Sequence, residues 1–433
     1  MAPFQASSPS DAPSPEERHP QVGETKDKKV ASMRQMVTKY TRSFPVHIPG
    51  GSKPTKESIL LTGSTGTFGS YVLESLVQNP AIGKVYALNR PHVRETISST
   101  KRQLRSFSER GINPNLDLSK VRFLEGDLAT DNFGLEEGLI EEMKRNVTCI
   151  MHTAWRVDFN GGLSKFEPLV AGTRNLVDFA LSSLCDRPPG FLFASSMTVF
   201  SNLPEPKAFE IAVEDPSVAI STGYSESKWV AEQILSCASE ETTLSPLIIR
   251  LGQLSGGRNG YWTRKEWFPR IVCSSEYLGC LPQNPGVVSW LPIHVAAQAW
   301  TEVRACDEQF LTFAHTTPTS WNDMIELISD AMSVKQVPYP EWAGRLEDSQ
   351  SASSRFDVAS NPALKLLEFF ISLCRFTFKE LQGEAFGLPL LSTDKAVKHA
   401  PSLHPLILEP LGRKDVEAWI SYWKSADAPR TKL

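Results

Sequence analysis

Residues 57–78 read ESILLTGSTGTFGSYVLESLVQ. An apolar run at 59–61 enters a turn with glycines at 63, 66 and 69, and a helical pattern leaves it. Each glycine answers a different need. Gly63 permits the tight turn, Gly66 lets the backbone approach a pyrophosphate, and Gly69 allows a helix to pack closely on a strand. A helix starting there offers free N–H groups and a partial positive charge to phosphates. Three glycines alone are a weak signal, but between a strand and a helix they are a strong one for a dinucleotide site. The pattern predicts a phosphate cradle made of Gly63, Ser64, Thr65, Gly66, Thr67, Phe68 and Gly69.

The alternation continues along the chain. VYALNR (85–90), VRFLEGDL (121–128), CIMHTAW (149–155), FLFASS (191–196) and PLIIRLGQLSG (246–256) read as further strands, with helical patterns such as TRNLVDFALSSL and SKWVAEQILSCA between them. Strands alternating with helices predict an α/β fold, a doubly wound parallel sheet of the Rossmann type. From about residue 257 the alternation fades into helix and loop rich in Pro and Trp. The expected division is a disordered tail (1–27), a linker helix lying outside the main fold (28–50), a nucleotide-binding domain (51–256) and a smaller, mostly helical substrate lobe (257–433) with segments returning to the sheet. Ser320 and Asp323 suggest a helix start in that lobe. PALKLLEFFISLCRFTF reads as a buried or half-buried helix, because Lys365, Glu368 and Arg375 interrupt it as a membrane span.

Composition narrows the partners. A formal net charge of −4 and a pI of about 6.1 give no reason to expect nucleic acid. The seven cysteines are scattered, with no Cys-x-x-Cys pair, and read as reduced thiols of a cytoplasmic protein rather than a metal site. The first 20 residues are rich in Pro and Ser and lack the apolar core of a signal peptide.

Other residues carry chemistry. The second strand ends in Asn89-Arg90, where an NAD site usually has a carboxylate for the ribose; an arginine there suits a 2′-phosphate, so NADP is favoured, with Arg94 as an aid. Asp127, which could accept a bond from an adenine amino group and equally suits a turn, and its neighbour Leu128 complete the cofactor candidates. Ser195 and Ser196 end the fifth strand, on the edge where open parallel sheets bind ligands. Tyr224 and Lys228, four residues apart, share a helix face. An ammonium beside a phenol lowers its pKa, which would make Tyr224 a general acid near neutral pH. Trp262, Trp267 and Trp290 could shape an acyl pocket or be plain core.

The glycine turn, GDL at 126–128, SSMTVF, Tyr224-x-x-x-Lys228 and IRLGQLSG, in this order, resemble the extended short-chain dehydrogenases/reductases. AWRVDFN (154–160), FEPLVAGTRNLVDFAL, WLPIHVAA (290–297) and the tail from AVKHAPSLHPL to VEAWISYW are more closely similar to the thioester reductase domains of fungal adenylation–carrier–reductase synthetases. Carboxylic acid reductases and aminoadipate reductase end in this domain. The likeness covers roughly residues 28 to 425, and the chain reads as that terminal domain on its own. The resemblance implies Ser196, rather than Ser195, as the catalytic hydroxyl, with Tyr224 and Lys228 completing the triad and Lys228 also holding the nicotinamide ribose. It implies NADPH, an acyl thioester or aldehyde substrate, a role in secondary metabolism, and a carrier protein with a phosphopantetheine arm as a partner in trans. Leu169 stands where the family often has a catalytic Asn, and His294 where it often has Asp. Two other readings stay open: a redox-neutral epimerase or dehydratase, and a non-catalytic NADP-binding sensor.

Overall fold

Apolar runs buried on both faces build the centre of the molecule, as a parallel sheet covered by helices requires. The computed structural model describes residues 25–91, 97–351, 360–373 and 383–425. Its sheet strands are β1 (Glu57–Thr62), β2 (Ile82–Asn89), β3 (Val121–Glu125), β4 (Cys149–His152), β5 (Gly190–Ser196), β6 (Pro246–Leu251) and β7 (Phe310–Phe313). They lie in the order β7-β6-β5-β4-β1-β2-β3, and every neighbouring pair is parallel. The chain reverses direction of travel across the sheet between β1 and β4, the crevice where such sheets bind ligands.

The connecting helices are α1 (Lys26–Tyr40), α2 (Thr67–Gln78), α3 (Ser99–Glu109), α4 (Glu137–Asn146), α5 (Glu167–Leu181) and α6 (Gly223–Glu241). Beyond the sixth strand lie α7 (Trp267–Cys273), α8 (Ile293–Glu302), α9 (Trp321–Met332), α10 (Tyr339–Ser351), α11 (Leu367–Leu373), α12 (Asp394–His399) and α13 (Arg413–Ser425). One apolar core lies under α2 and α8, and another, on the far face, under α4, α5 and α6. Ser320 caps α9 by accepting from the Asp323 N–H, as its sequence suggests.

Several elements differ from the sequence reading. The third strand stops at Glu125 because residues 127–130 turn, and the sixth stops at Leu251; Leu254–Ser255 instead pairs with Leu291–Pro292. The stretch read as one helix from Pro362 is a 3-10 turn followed by the short α11, and its end lies outside the described residues. The N-terminal tail before residue 25 also lies outside them. Trp262 and Trp290 are only 2% exposed and belong to an aromatic core with Phe268, Trp321, Trp419 and Trp423, so they do not line an open pocket.

The helix expected outside the main fold is packed into it. α1 lies across α6, buries Met33 completely, and makes the ion pairs Lys29–Glu226 (2.9 Å) and Lys39–Glu167 (2.6 Å). Arg174 ties the helix end down by donating to the Tyr40 carbonyl at 2.7 Å. Met33→Ala is expected to cost about 2–5 kcal/mol, the range for emptying a fully buried site. Urea denaturation measures it; a surface helix would lose almost nothing.

Candidate active site

The glycine turn has the strained geometry its residues allow. Gly63 has φ +77°, and an added Cβ would meet the Ala154 backbone at 2.8 Å. At Gly69 a Cβ would fall 2.2 Å from the Gly63 carbonyl oxygen, so only glycine lets α2 sit this close. At Gly66 the nearest atom would be the Gly63 oxygen at 3.2 Å, leaving room for a group to approach the backbone. Ser64 is buried and donates to Gln103 Oε1 at 2.8 Å. Asn89 staples the turn: its Oδ1 accepts from the Thr65 N–H (3.2 Å) and hydroxyl (3.1 Å), and its Nδ2 donates to Ser64 Oγ (2.8 Å). Thr67 begins α2, whose N-cap, Gly66, supplies no side-chain bond, so the first N–H groups are left for a ligand. Phe68 packs edge-on against Trp300 at 5.4 Å.

Arg90 is exposed just beyond β2, close to Arg102, which donates to the Arg90 carbonyl at 2.9 Å and pairs with Glu125 at 2.8 Å. Arg94 lies outside the described residues. Asp127 is exposed and accepts from the Ala129 N–H at 3.0 Å, which is the turn-forming role. Leu128 wedges against α5, where a Cβ on Gly172 would meet it at 2.8 Å. These residues sit along the carboxyl edge of β1–β3 and could hold a dinucleotide there.

The two serines ending β5 separate cleanly. Ser195 donates to Glu232 Oε1 at 2.5 Å, inside a fully buried pair between Glu232 and Arg250. Its hydroxyl is committed to structure. Ser196 accepts from the Thr198 N–H at 3.2 Å and from the Thr198 hydroxyl at 3.1 Å, and its side chain acts to lower the pKa of the nearby Tyr224 phenol. Aromatic edges from Phe159 (5.6 Å) and Phe166 (6.3 Å) wall the Tyr224 ring. Ser196, Tyr224 and Lys228 thus converge at the carboxyl end of β5.

One electrostatic expectation is reversed. Burial pushes the Tyr224 phenol up to about 12; the Ser196 hydrogen bond lowers it and the charge of Glu266 raises it. The Lys228 ammonium donates to the Ala194 carbonyl and sits 5.8 Å from the centre of the Tyr224 ring, and burial of the phenol outweighs the lowering expected of it. Burial also holds the Lys228 ammonium well below its usual range, opposed by the Glu232 carboxylate.

Sequence patterning does not single out Glu266, Gln253 or the neighbours of Lys228. Glu266 stands at the start of α7, and its Oε2 accepts from Trp262 Nε1 (2.9 Å) and Gln253 Nε2 (3.0 Å). Burial pushes its carboxyl up to about 7 against those two bonds. Leu169 offers no polar side chain; its carbonyl accepts from Thr173. His294, in the first turn of α8, is held down to about 4 by burial and by Arg258, so it is neutral at pH 7. Cys306, Asp307 and His399, whose ligand atoms lie within 4.8 Å of one another, precede β7 and end α12, away from the carboxyl edge.

Residues 61–300 match the family of NAD-binding domains described as male sterility protein. The chain is 37% identical over 401 residues to the adenylate-forming reductase Nps10 of Heterobasidion annosum, covering 90% of this chain and 37% of that protein. It is 30% identical over 358 residues to the carboxylic acid reductase of Neurospora crassa, covering 78% and 33%. It therefore spans about a third of the length of these relatives. Among solved structures, the terminal R domain from the myxalamid PKS-NRPS pathway superposes with a TM-score of 0.73 at 19% identity, over 93% of this chain and all of that one. A thiolation-reductase di-domain from an archaeal non-ribosomal peptide synthetase gives 0.65 at 16%, over 94% and 83%.

Two outcomes follow from the geometry. Gly66→Ala is expected to leave thermal melting nearly unchanged and weaken NADPH binding at least about tenfold by crowding the turn, whereas Gly69→Ala lowers melting itself; calorimetry and cofactor fluorescence separate the two. For Glu266 the folded-state pKa lies above the unfolded one, so its contribution to stability is complete at acid pH and is lost as pH rises from about 4.5 to 7. Relative to the native chain, Glu266→Gln should gain on the order of 1–3 kcal/mol on going from pH 5 to pH 8, measured as the difference in urea stability.

Proposed function

This chain belongs to the male sterility protein family of NAD-binding domains, and we propose that it is an NADPH-dependent reductase that converts an acyl thioester, or the derived aldehyde, to aldehyde or alcohol in secondary metabolism. The observation that carries this reading is the convergence of Ser196, Tyr224 and Lys228 at the carboxyl end of β5, on the same sheet edge as the glycine turn. The residues fit a dinucleotide: the backbone at Gly66 is open to approach, the first N–H groups of α2 are uncapped, and Arg90 is exposed where a 2′-phosphate would lie. NADPH, when bound, supplies the hydride.

The chain's own residues position the carbonyl and handle its charge. Ser196 and Tyr224 hydrogen-bond the carbonyl oxygen and orient it. Tyr224 keeps its proton at neutral pH, since its phenol is pushed up to about 12. It therefore meets the substrate as a donor and gives up the proton only as negative charge develops on the substrate oxygen. Lys228 lies within the same low-dielectric volume, where its positive charge favours that anion far more than it would in water. With a thioester, the adduct would re-form its C=O bond as the C–S bond breaks and the thiol leaves with the proton, giving an aldehyde; going on to the alcohol would consume a second NADPH and a second proton.

The names of the relatives support this reading and its partner. The first relatives are called adenylate-forming reductases, and one structural neighbour joins a thiolation domain to a reductase. We infer a phosphopantetheine-bearing carrier as the donor, in the cytoplasm. Among the described residues no helix is long and apolar enough to cross a membrane. A UDP-glucuronic acid 4-epimerase shares the fold at a TM-score of 0.53, so the fold alone does not separate reductase from epimerase; Arg90 at the end of β2 favours NADPH, a consumed cofactor.

The test is NADPH oxidation with pantetheine thioesters, loaded carrier protein and aldehydes. Tyr224→Phe is expected to lower kcat by about 10²–10⁴-fold, the usual worth of a positioned acid, while NADPH still binds. Arg90→Ala is expected to raise the KM for NADPH about tenfold and to leave that for NADH nearly alone, the loss of one charge-assisted phosphate contact. Turnover that survives in Tyr224→Phe would sink the mechanism.

A further inference from the structure

Lys228 is buried among aromatic faces. Its Nζ lies 4.1 Å from the centre of the Trp155 ring, 4.7 Å from that of Phe193 and 5.8 Å from that of Tyr224. The Ala194 carbonyl accepts one of its protons. The carboxylate that acts on it, Glu232 one turn along α6, is already engaged by Arg250 and Ser195. His152, on β4, faces the same charge, and burial together with Lys228 holds it down to about 3, so it is neutral and adds no charge. The aromatic faces are therefore the ammonium's main compensation, and Trp155 is the closest of them. A desolvated ammonium on an indole face gains about 2 kcal/mol or more, and tryptophan is the best ring for it.

Trp155 is held to present that face. The loop carrying it is fastened to the glycine turn: Thr153 Oγ1 donates to the Thr62 carbonyl at 2.7 Å, and the Ala154 backbone lies against Gly63. The indole rests edge-on against Phe193 at 5.5 Å and against His152 at 6.0 Å. Its Nε1–H is buried without a hydrogen-bond partner. A buried donor left unmade costs about 1–3 kcal/mol. The ring leaves that bond unmade and keeps its face on the ammonium.

We propose that Trp155 is a positioning residue that keeps Lys228 in its charged form at the carboxyl end of β5 and so ties the state of the catalytic lysine to the loop that abuts the glycine turn. The proposal rests on the reductase reading for its kinetic consequence, and on geometry alone for its effect on Lys228. Burial pushes the ammonium toward its neutral form, and the ring opposes this. Removing the ring therefore lowers the pH at which Lys228 loses its proton.

The experiment compares the full chain with Trp155→Phe and Trp155→Leu. Two readouts are taken against pH: kcat for aldehyde reduction, and the NADPH dissociation constant from cofactor fluorescence. The alkaline fall in both is expected to move to lower pH by about one unit in the Leu variant, as the loss of roughly 1.4 kcal/mol per pKa unit dictates. The Phe variant should fall between Leu and the native chain. Equal shifts in Phe and Leu would mean that packing, not the ring face, matters, and would overturn the proposal; so would an alkaline limb that stays in place in both variants. If the native chain reduces nothing but its NADPH binding shows the graded shift, the reductase reading falls and the assignment of Trp155 stands.

Discussion

The site depends on one buried ion pair. Glu232 on α6 and Arg250 on β6 are both fully buried, 2.8 Å apart, with a second bond at 3.1 Å. Such a pair is tolerated only when the remaining donors and acceptors are satisfied. Here Ser195 donates to Glu232, Arg250 donates to the Ile211 carbonyl at 2.7 Å, and the guanidinium lies 4.7 Å from the rings of both Phe200 and Phe310. The network joins β5, β6, β7 and α6 at one point. Residues 224, 228 and 232 follow one another at four-residue spacing, so they share one face of the helix. Fixing Glu232 under β6 therefore sets the rotation of α6, and with it the direction of Tyr224 and Lys228. Loss of either partner would leave an uncompensated buried charge and release the helix that carries the chemistry. α1 holds the same helix from outside, through Lys29 on Glu226, two residues from Tyr224.

Much of this was legible in the sequence where the cause is local. The glycine turn is, because φ at Gly63 and the clash at Gly69 involve only the turn, its helix and the loop beside them. The shared face of Tyr224 and Lys228 is, because helical spacing alone dictates it. The choice of Ser196 over Ser195 came from resemblance, and the structure supplies a physical reason in the bond from Ser195 to Glu232. What stayed hidden is long-range. β7 is four residues, three of them apolar, too few for a readable period, and it is a strand only because β6 lies beside it. Asn89, beside the candidate Arg90, has a role no local pattern announces: its amide is spent on Ser64 and Thr65 across 24 or 25 residues of chain. Glu266 acquires its environment from Gln253 and Trp262, and no local pattern announces a carboxyl that titrates near neutrality. The expected lowering of the Tyr224 pKa is outweighed for a similar reason: burial of the phenol, which depends on elements distant in sequence, is the largest cause of its shift.

The electrostatics of the site then have a single logic. Tyr224 is displaced upward, Lys228 downward and Glu266 upward, and in each case burial is the largest cause. Every one of these shifts favours the neutral form. A cleft that penalises charge in its resting state is one in which a charge created by reaction interacts strongly with whatever faces it, since the same low dielectric magnifies both terms. An oxyanion forming beside Tyr224 would find a phenol that still holds its proton, and its negative charge would favour the charged form of Lys228 against the burial that opposes it. The ionised form of Glu266 would oppose it, and the two bonds from Trp262 and Gln253 hold that carboxyl in place rather than letting it turn away. The lobe, through one side chain at the start of α7, thus reaches into the electrostatics of the sheet edge.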